Sequence, residues 1–339
     1  MSDIVGARPR GVVALGASAG GIDALQRAVA GLPRDVPVAI CVVLHIPATS
    51  RTVLAQIISR STALSVAPAV DGEPLRAGHV HVAAPDRHLT VTRGFVALDA
   101  GPKENGARPA IDPLFRSMAF AYGRRGAAVV LSGALTDGSL GAAAVATAGG
   151  TVLVQHPGDA PVPSMPEATL RVVQSARVVS TRDLGDAVAA FAAGLPSGEM
   201  TEEEVTMPAE SRRPSARSRT RPDGPPSGLT CPECNGPLWE RGQNGVVNFR
   251  CRVGHAFNED VLVEAKGSAV EAAMWSAVEA LEEHAELIRK VAGRIAGGGR
   301  EHAAAVLCRR ADQADERAEV LRGVLAAGDG SGEAEAQSA

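Results

Sequence analysis

Aromatic residues, charge imbalance and long apolar runs are all scarce in this sequence. Tryptophan, tyrosine and phenylalanine together make up 3% of its 339 residues. The formal net charge is -4, which is too small to indicate a nucleic-acid surface or a polybasic membrane patch. No apolar run approaches the roughly 20 residues of a membrane helix, and the first ten residues lack the apolar stretch of a signal peptide. The sequence therefore predicts a cytoplasmic protein without membrane insertion and without a nucleic-acid partner.

Cysteine is rare as well, with five residues in the chain. Cys41 and Cys308 stand alone, whereas Cys231, Cys234 and Cys251 cluster with the spacing of a metal site. This usage is typical of a reducing compartment and gives no pattern for a disulfide framework. Glycine, alanine and valine are abundant, which favours close packing of helices on a sheet.

Apolar, β-branched runs alternate with helical patterns from residue 11 to residue 195. This rhythm predicts an α/β fold with a doubly wound, mostly parallel, Rossmann-like sheet, and because the strands are apolar throughout, helices should cover both faces. Between the two halves, residues 79–100 alternate with period two and break at Arg93-Gly94, which predicts a hairpin or edge strands. The predicted strands are GVVALGA, VPVAICVVL, AAVVLSG, TVLVQH and ARVVS, and the predicted helices begin at Ile22, near Arg51, near Ser139, after Pro163 and at Leu184.

The composition changes after residue 195 and divides the rest of the chain. Residues 196–229 are rich in Ser, Arg, Glu and Pro, which predicts a disordered linker after a first domain over residues 1–195. Residues 230–265 are predicted to form a compact zinc-ribbon-like module. Residues 266–326 carry two helical patterns and predict an antiparallel helical hairpin, followed by a disordered tail over residues 327–339.

The turn after the first predicted strand reads GASAGG, at residues 16–21. Small-residue turns of this kind cradle phosphates or present a nucleophile. A dinucleotide-binding turn would need a glycine in place of Ser18 and an acidic residue at the end of the second strand, where His45 stands. The G-x-S-x-G reading, a nucleophile elbow that lifts the Ser18 hydroxyl above the sheet edge, therefore fits better.

Three predicted strand ends supply a serine, a histidine and an aspartate. The carboxyl ends of neighbouring strands meet in one crevice of a doubly wound sheet. Ser18 follows the first strand, His45 follows the second, and Asp137 lies in the loop ALTDGSLG after a later strand. A neutral imidazole can take the proton of a serine hydroxyl, and a carboxylate can orient that imidazole. The competing interpretation of Asp137 is a helix N-cap before Gly138.

Several longer motifs extend this pattern over residues 11 to about 195. GASAGG, VVLHIP, APDRHL, GPKENGARPAIDPLFRSMA, VVLSGALTDGSLG and VQHPGDAPVPSMPEA together resemble the catalytic domain of CheB-type chemotaxis protein-glutamate methylesterases. The resemblance implies hydrolysis of γ-glutamyl methyl esters on chemoreceptors with release of methanol, and in many members deamidation of receptor glutamines. It implies a triad of Ser18, His45 and Asp137, with no cofactor for catalysis. A backbone N–H three residues before the aspartate, here that of Ala134, serves the oxyanion, and we add the N–H of Ala19.

The resemblance also sets expectations about partners and regulation. The partners would be methylated cytoplasmic helices of chemoreceptors or related signalling proteins. The usual N-terminal receiver domain has no counterpart here, because the catalytic strand starts at Gly11. We therefore expect a stand-alone form that no receiver in the same chain regulates. Two other functions stay open at this point, a serine hydrolase of another ester or amide and a non-catalytic signalling module that retains the fold.

The module after the linker carries different chemistry. Cys231-x₂-Cys234 is followed by Cys251 and His255, and tetrahedral zinc accepts three thiolates and one imidazole. Four protein ligands would close the site and make the zinc structural, with reduced cysteines in a metal-free fold as the alternative. The resemblance extends to similar tails of some stand-alone methylesterases. The helices beyond the module predict either a docking or self-association surface or a solvated cap.

Overall fold

A computed structural model of the protein describes residues 7–49, 53–198, 222–243, 246–296 and 300–335. The chain divides into two compact units, Met1–Leu262 and Val263–Ala339. The first unit contains the sheets and the second is helical, so each is described by itself.

The first unit is built around a parallel sheet. Before residue 199, the strands of the described chain are β1 (Gly11–Ala17), β2 (Val38–Leu44), β3 (Ser65–Pro68), β4 (His79–Val82), β5 (His88–Thr92), β6 (Phe95–Asp99), β7 (Gly126–Val130), β8 (Thr151–Gln155) and β9 (Arg177–Val179). Seven of them form the sheet in the order β3-β4-β2-β1-β7-β8-β9, and every neighbouring pair is parallel. The order reverses between β1 and β7, which is the switch point at which such sheets bind ligands.

Helices cover both faces of this sheet. Alternate residues of β1 point to opposite layers, with Val13 and Leu15 in one apolar core and Val12 and Ala14 in the other. The first core packs α1, α2 and α6 and the second packs α3, α4 and α5, with bounds α1 (Ile22–Val29), α2 (Leu54–Ser59), α3 (Ile111–Tyr122), α4 (Ser139–Thr147), α5 (Ser164–Val172) and α6 (Leu184–Ala193). The predicted doubly wound α/β fold is confirmed.

The segment between the two halves resolves the alternatives left by the sequence. β4 joins the main sheet, while β5 and β6 form an antiparallel hairpin that turns at Arg93-Gly94, where Gly94 has a φ of 90°. Helix α3 is not among the helices that the sequence predicts. Ten of its twelve residues are buried, so the segment lacks the polar face of an amphipathic helix, and Pro113 lies in its first turn.

A second, smaller sheet lies in the same compact unit. Its strands are antiparallel and in sequence order, namely β10 (Pro226–Thr230), β11 (Pro237–Gln243), β12 (Val246–Cys251) and β13 (Ala256–Asn258). We call residues 226–258 the ribbon. β10 begins inside the segment that the sequence assigns to the linker, because it pairs with β11, and most of that predicted linker, residues 199–221, lies outside the described residues.

Among the described residues, the second unit consists of one complete helix and most of another, whose first four residues belong to the first unit. α7 (Glu259–Ala296) starts earlier than the predicted hairpin, and α8 (Glu301–Glu335) runs into the predicted tail. Ion pairs join Arg289 to Asp312 and Arg322 to Glu282, so the helices are antiparallel as expected. Buried Ala285, Ala311 and Ala314 form the apolar cluster between them, with Leu281 and Ile288 packed against it. Within the described part of the chain, no helix combines the length and apolarity that spanning a membrane would require.

Candidate active site

Ser18 and His45 follow neighbouring strand ends. In the parallel register of β1 and β2, Ala17 pairs with Leu44, so the two residues stand one step beyond a paired position. The backbone N–H of His45 donates to the carbonyl of Ala17 at 3.1 Å. The N–H of Ser18 donates to the carbonyl of Ser132 after β7 at 2.9 Å. The elbow is thus held between the two strands that flank β1.

Glycine at position 133 makes room for the serine. A Cβ atom on Gly133 would lie 2.8 Å from the Cβ of Ser18, and it would also overlap the sulfur of Met165. Gly20, in the turn itself, has a φ of 71°, a conformation that favours glycine. Gly133 therefore leaves room for the half-buried Ser18 side chain, and Gly20 allows the turn that follows it.

The structure brings His45 and Asp137 into direct contact. The Nε2 atom of His45 lies 2.7 Å from Oδ2 of Asp137, with the histidine side chain 20% exposed and the aspartate 2% exposed. Because Nε2 faces the carboxylate, Nδ1 is the ring nitrogen left for a hydroxyl. Among the described residues, the Ser18 hydroxyl has no hydrogen-bond partner, His45 included. Two of the three expected partners are joined, and the third lies beside them in the strand register.

Asp137 accepts several hydrogen bonds in addition to that of His45. The donors, with distances to the carboxylate, are Asn105 Nδ2 (2.9 Å), Ile111 N (2.6 Å), Asp112 N (3.2 Å) and Gly138 N (3.0 Å). Burial would raise the pKa of Asp137, but the hydrogen bond and charge of His45, with the bonds from Ile111 and Asn105, lower the pKa to about 2. The alternative role as N-cap of α4 does not fit, because Gly138 holds that position. The carboxylate instead meets the first N–H groups of α3.

A second buried carboxyl lies close to Asp137. Asp112 accepts hydrogen bonds from the backbone N–H of Gly141 at 2.6 Å and from Nδ2 of Asn105 at 3.1 Å. Burial and the negative charge of Asp137 raise the pKa of Asp112 to about 7. Sequence reasoning missed both Asp112 and Asn105, although they lie in the quoted motif GPKENGARPAIDPLFRSMA. The Asn-Gly pair at 105–106 was the available signal, since Asn105 takes a left-handed backbone conformation with a φ of 49°.

The two backbone N–H groups expected to hold an oxyanion are free of internal partners. Neither Ala19 nor Ala134 donates a hydrogen bond to another residue of the described chain, and both are exposed. Ala19 follows the serine, and Ala134 lies in the loop between β7 and α4 that also carries Asp137. Both N–H groups can therefore donate a hydrogen bond to a ligand without losing one inside the protein.

An open cleft of about 350 Å³ adjoins His45. Lys103 and Arg108 line it together with the apolar segment 46–48. The Arg108 guanidinium pairs with Asp86 at 2.5 Å, and Lys103 pairs with Glu233 of the ribbon at 3.0 Å. The cations at the cleft are therefore largely neutralised by acidic partners.

A separate cluster of metal-ligating side chains lies in the ribbon. The ligand atoms of Cys231, Cys234, Cys251 and His255 all lie within 4.8 Å of one another. The Sγ atoms of Cys234 and Cys251 are 3.7 Å apart, and Nδ1 of His255 lies 3.6 Å from Cys231 Sγ and 3.5 Å from Cys251 Sγ. A tetrahedral site with Zn–S of about 2.3 Å and Zn–N of about 2.0 Å has an S···S edge of roughly 3.8 Å and an S···N edge of roughly 3.5 Å. The four predicted residues therefore form a set that fits zinc, and all five cysteines are free thiols.

Comparisons with known proteins relate the first part of the chain to one family. The model of the CheB methylesterase family matches residues 13–188. A protein-glutamate methylesterase/protein-glutamine glutaminase of Rhodospirillum rubrum is 41% identical over 182 residues, which are 51% of this chain and 46% of the relative. A similarly named protein of Anaeromyxobacter dehalogenans is 42% identical over 168 residues, covering 47% of this chain and 48% of the relative. The chain thus spans about half the length of the curated relatives it matches.

A solved structure supports the same assignment. The crystal structure of the CheB methylesterase catalytic domain of Thermotoga maritima aligns with a TM-score of 0.51 and 31% identity. The alignment covers 98% of that domain and 53% of this chain. The shared fold, the match of the family model over more than half of the chain and the sequence identity lead to one conclusion. This chain belongs to the CheB methylesterase family.

Proposed function

We propose that this protein is a protein-glutamate methylesterase that hydrolyses γ-glutamyl methyl esters on chemoreceptors and releases methanol. The observation that carries the proposal is the 2.7 Å contact between His45 Nε2 and Asp137 Oδ2 at the strand end next to Ser18. A serine hydroxyl beside an imidazole that a buried carboxylate orients is the arrangement that acyl transfer to serine needs. The names of the relatives support the choice of substrate.

The first half of the reaction transfers the glutamyl group to the serine. The oxygen of Ser18 bonds to the ester carbonyl carbon while His45 takes the hydroxyl proton. The electron pair of the carbonyl double bond moves to its oxygen, and the N–H groups of Ala19 and Ala134 hold the resulting oxyanion. When the carbonyl forms again, the bond to the methoxy oxygen breaks, and the proton from His45 completes methanol. Asp137 stabilises the charged imidazole throughout.

The second half regenerates the enzyme. Water replaces methanol beside His45, loses a proton to it and attacks the glutamyl ester of Ser18. The ester bond breaks, the serine recovers its proton, and a glutamate side chain leaves. Deamidation of a receptor glutamine follows the same course, with ammonia as the leaving group. The residues between which protons move are the same in both reactions.

Methanol release from a methylated chemoreceptor cytoplasmic fragment tests this function. We expect release by the wild-type chain, none by Ser18→Ala, and wild-type release by Ser59→Ala, an exposed serine at the end of α2. A fluorophosphonate probe should label the wild-type chain and not Ser18→Ala. Labelling without methanol release would favour a serine hydrolase of another ester or amide. Absence of both would favour a non-catalytic module.

The ribbon is proposed to hold one structural zinc ion through Cys231, Cys234, Cys251 and His255. Four protein ligands leave no open position for a substrate, and the ribbon core is small, so the ion would serve folding. Elemental analysis should find about one zinc per chain in the wild type and in Cys308→Ser, and none in Cys234→Ser. A folded ribbon without metal in the wild type would contradict this assignment. The cytoplasmic location and a docking or self-association role of α7 and α8 stay predictions from the sequence.

A further inference from the structure

We propose that the ribbon is a positioning element of the active site, in which Asn258 holds the two loops that carry Asn105 and Asp137. This inference rests on the proposed hydrolase function and extends it to the control of the same site. The family model ends at residue 188, so the ribbon lies outside the part that the family shares.

The edge strand β13 of the ribbon forms backbone hydrogen bonds with the hydrolase. The backbone N–H of Asn105 donates to the carbonyl of Ala256 at 2.8 Å, and that of Ala256 donates to the carbonyl of Lys103 at 3.4 Å. Glu104 and Ala256 form a parallel bridge. Residues 103–105 therefore lie against β13, joined to it by two backbone hydrogen bonds and one isolated bridge, and the loop before α3 is tied to the edge of the ribbon sheet.

Asn105 links the ribbon to the triad aspartate through its side-chain amide. Its Oδ1 atom accepts a hydrogen bond from the backbone N–H of Asn258 at 3.0 Å, and its Nδ2 donates to Asp112 and to Asp137. A flipped amide would set its oxygen against two carboxyls and its NH₂ group against an N–H donor. The bond from Asn258 therefore fixes the only favourable orientation of an amide that Asp137 depends on.

The side chain of Asn258 holds the second loop. Its Nδ2 donates to Oγ1 and to the carbonyl oxygen of Thr136 at 3.1 and 3.4 Å, and its Oδ1 accepts from Asn248 of β12 at 3.1 Å. Thr136 directly precedes Asp137, and the neighbouring Leu135 packs on the ribbon core. Asn258 is only 1% exposed. One buried residue thus clamps both loops that form the surroundings of Asp137.

An ionic contact lies beside this clamp. Glu104 accepts two hydrogen bonds from Arg116 of α3, at 2.8 and 2.7 Å, and lies 3.9 Å from Arg250 of β12. Burial would raise the pKa of Glu104, but the positive charges of Arg116 and Arg250 hold it below its ordinary value. The Glu104 carboxylate therefore stays charged between Arg116 of α3 and Arg250 of the ribbon.

The hydrolase core does not depend on this contact. Among the residues that the structure describes, both apolar cores of the main sheet consist of residues before 196, and the ribbon core takes only Leu135 from the hydrolase. In contrast, β13 starts one residue after His255, a member of the proposed zinc set. Loss of the metal should therefore release Asn258 while the main sheet stays folded. The metal state of the ribbon would then set the rate of the hydrolase.

The variant Asn258→Ala in the full chain tests the clamp. Displacing a catalytic group by about 1 Å costs on the order of a hundredfold in rate, so we expect kcat to fall about ten- to a hundredfold with KM within about twofold. Fluorophosphonate labelling of Ser18 should slow by a similar factor, and the low-field proton resonance of His45 Nε2–H should shift or broaden. Ser227→Ala, on the opposite edge strand of the ribbon, is the control and should leave kcat, labelling and zinc content unchanged.

The metal arm of the proposal uses Cys234→Ser. We expect the same loss of kcat and of labelling rate, with faster hydrogen exchange of the Asn105 and Asn258 amides and unchanged protection in β1 and β7. Wild-type kcat and labelling in Asn258→Ala that keeps its zinc would overturn the proposal, and so would unchanged labelling in metal-free Cys234→Ser. A wild-type chain that labels but releases no methanol would contradict the methylesterase function alone, since labelling and exchange still measure the clamp.

Discussion

Asp112 and Asp137 share one amide, because Nδ2 of Asn105 donates to Oδ2 of Asp112 at 3.1 Å and to Oδ1 of Asp137 at 2.9 Å. Their pKa values are displaced in opposite directions, to about 7 and about 2. Between about pH 2 and pH 7 the pair therefore carries one negative charge, and this charge is on the carboxylate that contacts His45. A neutral carboxyl next to a charged one avoids the cost of two buried anions side by side.

The free energy of unfolding should show the titration of Asp112. Its pKa is raised in the folded state, so between about pH 4 and pH 7 the folded state binds more protons than the unfolded state, and stability falls as pH rises through this window. A difference from about 3.9 in the unfolded chain to about 7 corresponds to at most roughly 4 kcal/mol. Urea unfolding at pH 4 to 8 should show the wild type losing stability relative to Asp112→Asn. Two parallel stability curves would contradict a raised pKa.

Asp137→Asn should slow methanol release by up to about 10⁴-fold, because an amide cannot hold the histidine tautomer or stabilise the imidazolium as a carboxylate does. Since the pKa of Asp137 is about 2, its own protonation should cause no loss of rate above pH 4. The check is kcat together with the rate of fluorophosphonate labelling of Ser18, which should also fall because the serine and the aspartate act as a unit. A kcat within fivefold of wild type would remove Asp137 from the mechanism.

Gly133→Ala should displace the Ser18 side chain by steric overlap, without changing any charge or hydrogen-bonding group. Its new Cβ would lie 2.8 Å from the Cβ of Ser18, so the serine must move, and overpacking costs typically about 1–3 kcal/mol. We expect slower fluorophosphonate labelling and a lower melting temperature. Gly242→Ala on β11, where an added Cβ meets nothing within 4 Å, is the control. Equal labelling rates for the two variants would mean that the space at position 133 does not position Ser18.

Strand-end reasoning was sufficient for the pair His45 and Asp137 because parallel sheets bring their carboxyl ends together whatever the details of packing. The same reasoning could not reach Asn105, whose role depends on a left-handed backbone conformation and on a donor from residue 258. Docking of the ribbon has no periodic signal either. Docking of the ribbon depends on backbone hydrogen bonds from one short edge strand. The composition of residues 196–229 predicted only a linker that separates the ribbon from the hydrolase.

Zinc affinity of the full chain should rise with pH. Burial raises the pKa of Cys231 to about 12, so this thiol must lose a proton when it binds metal, and lower pH should weaken binding. Burial lowers the pKa of His255 below its ordinary value, so protons compete less with the metal for this imidazole than for a free one. Competition with a chromophoric chelator at pH 6 and pH 8 should therefore give tighter binding at pH 8 for the wild type and for Cys308→Ser. Substitution with Co²⁺ should give the intense visible bands of a tetrahedral thiolate site in both proteins, and weaker, shifted bands in His255→Asn. Affinity that does not change with pH, or loss of the bands in Cys308→Ser, would assign the metal to a different set of ligands.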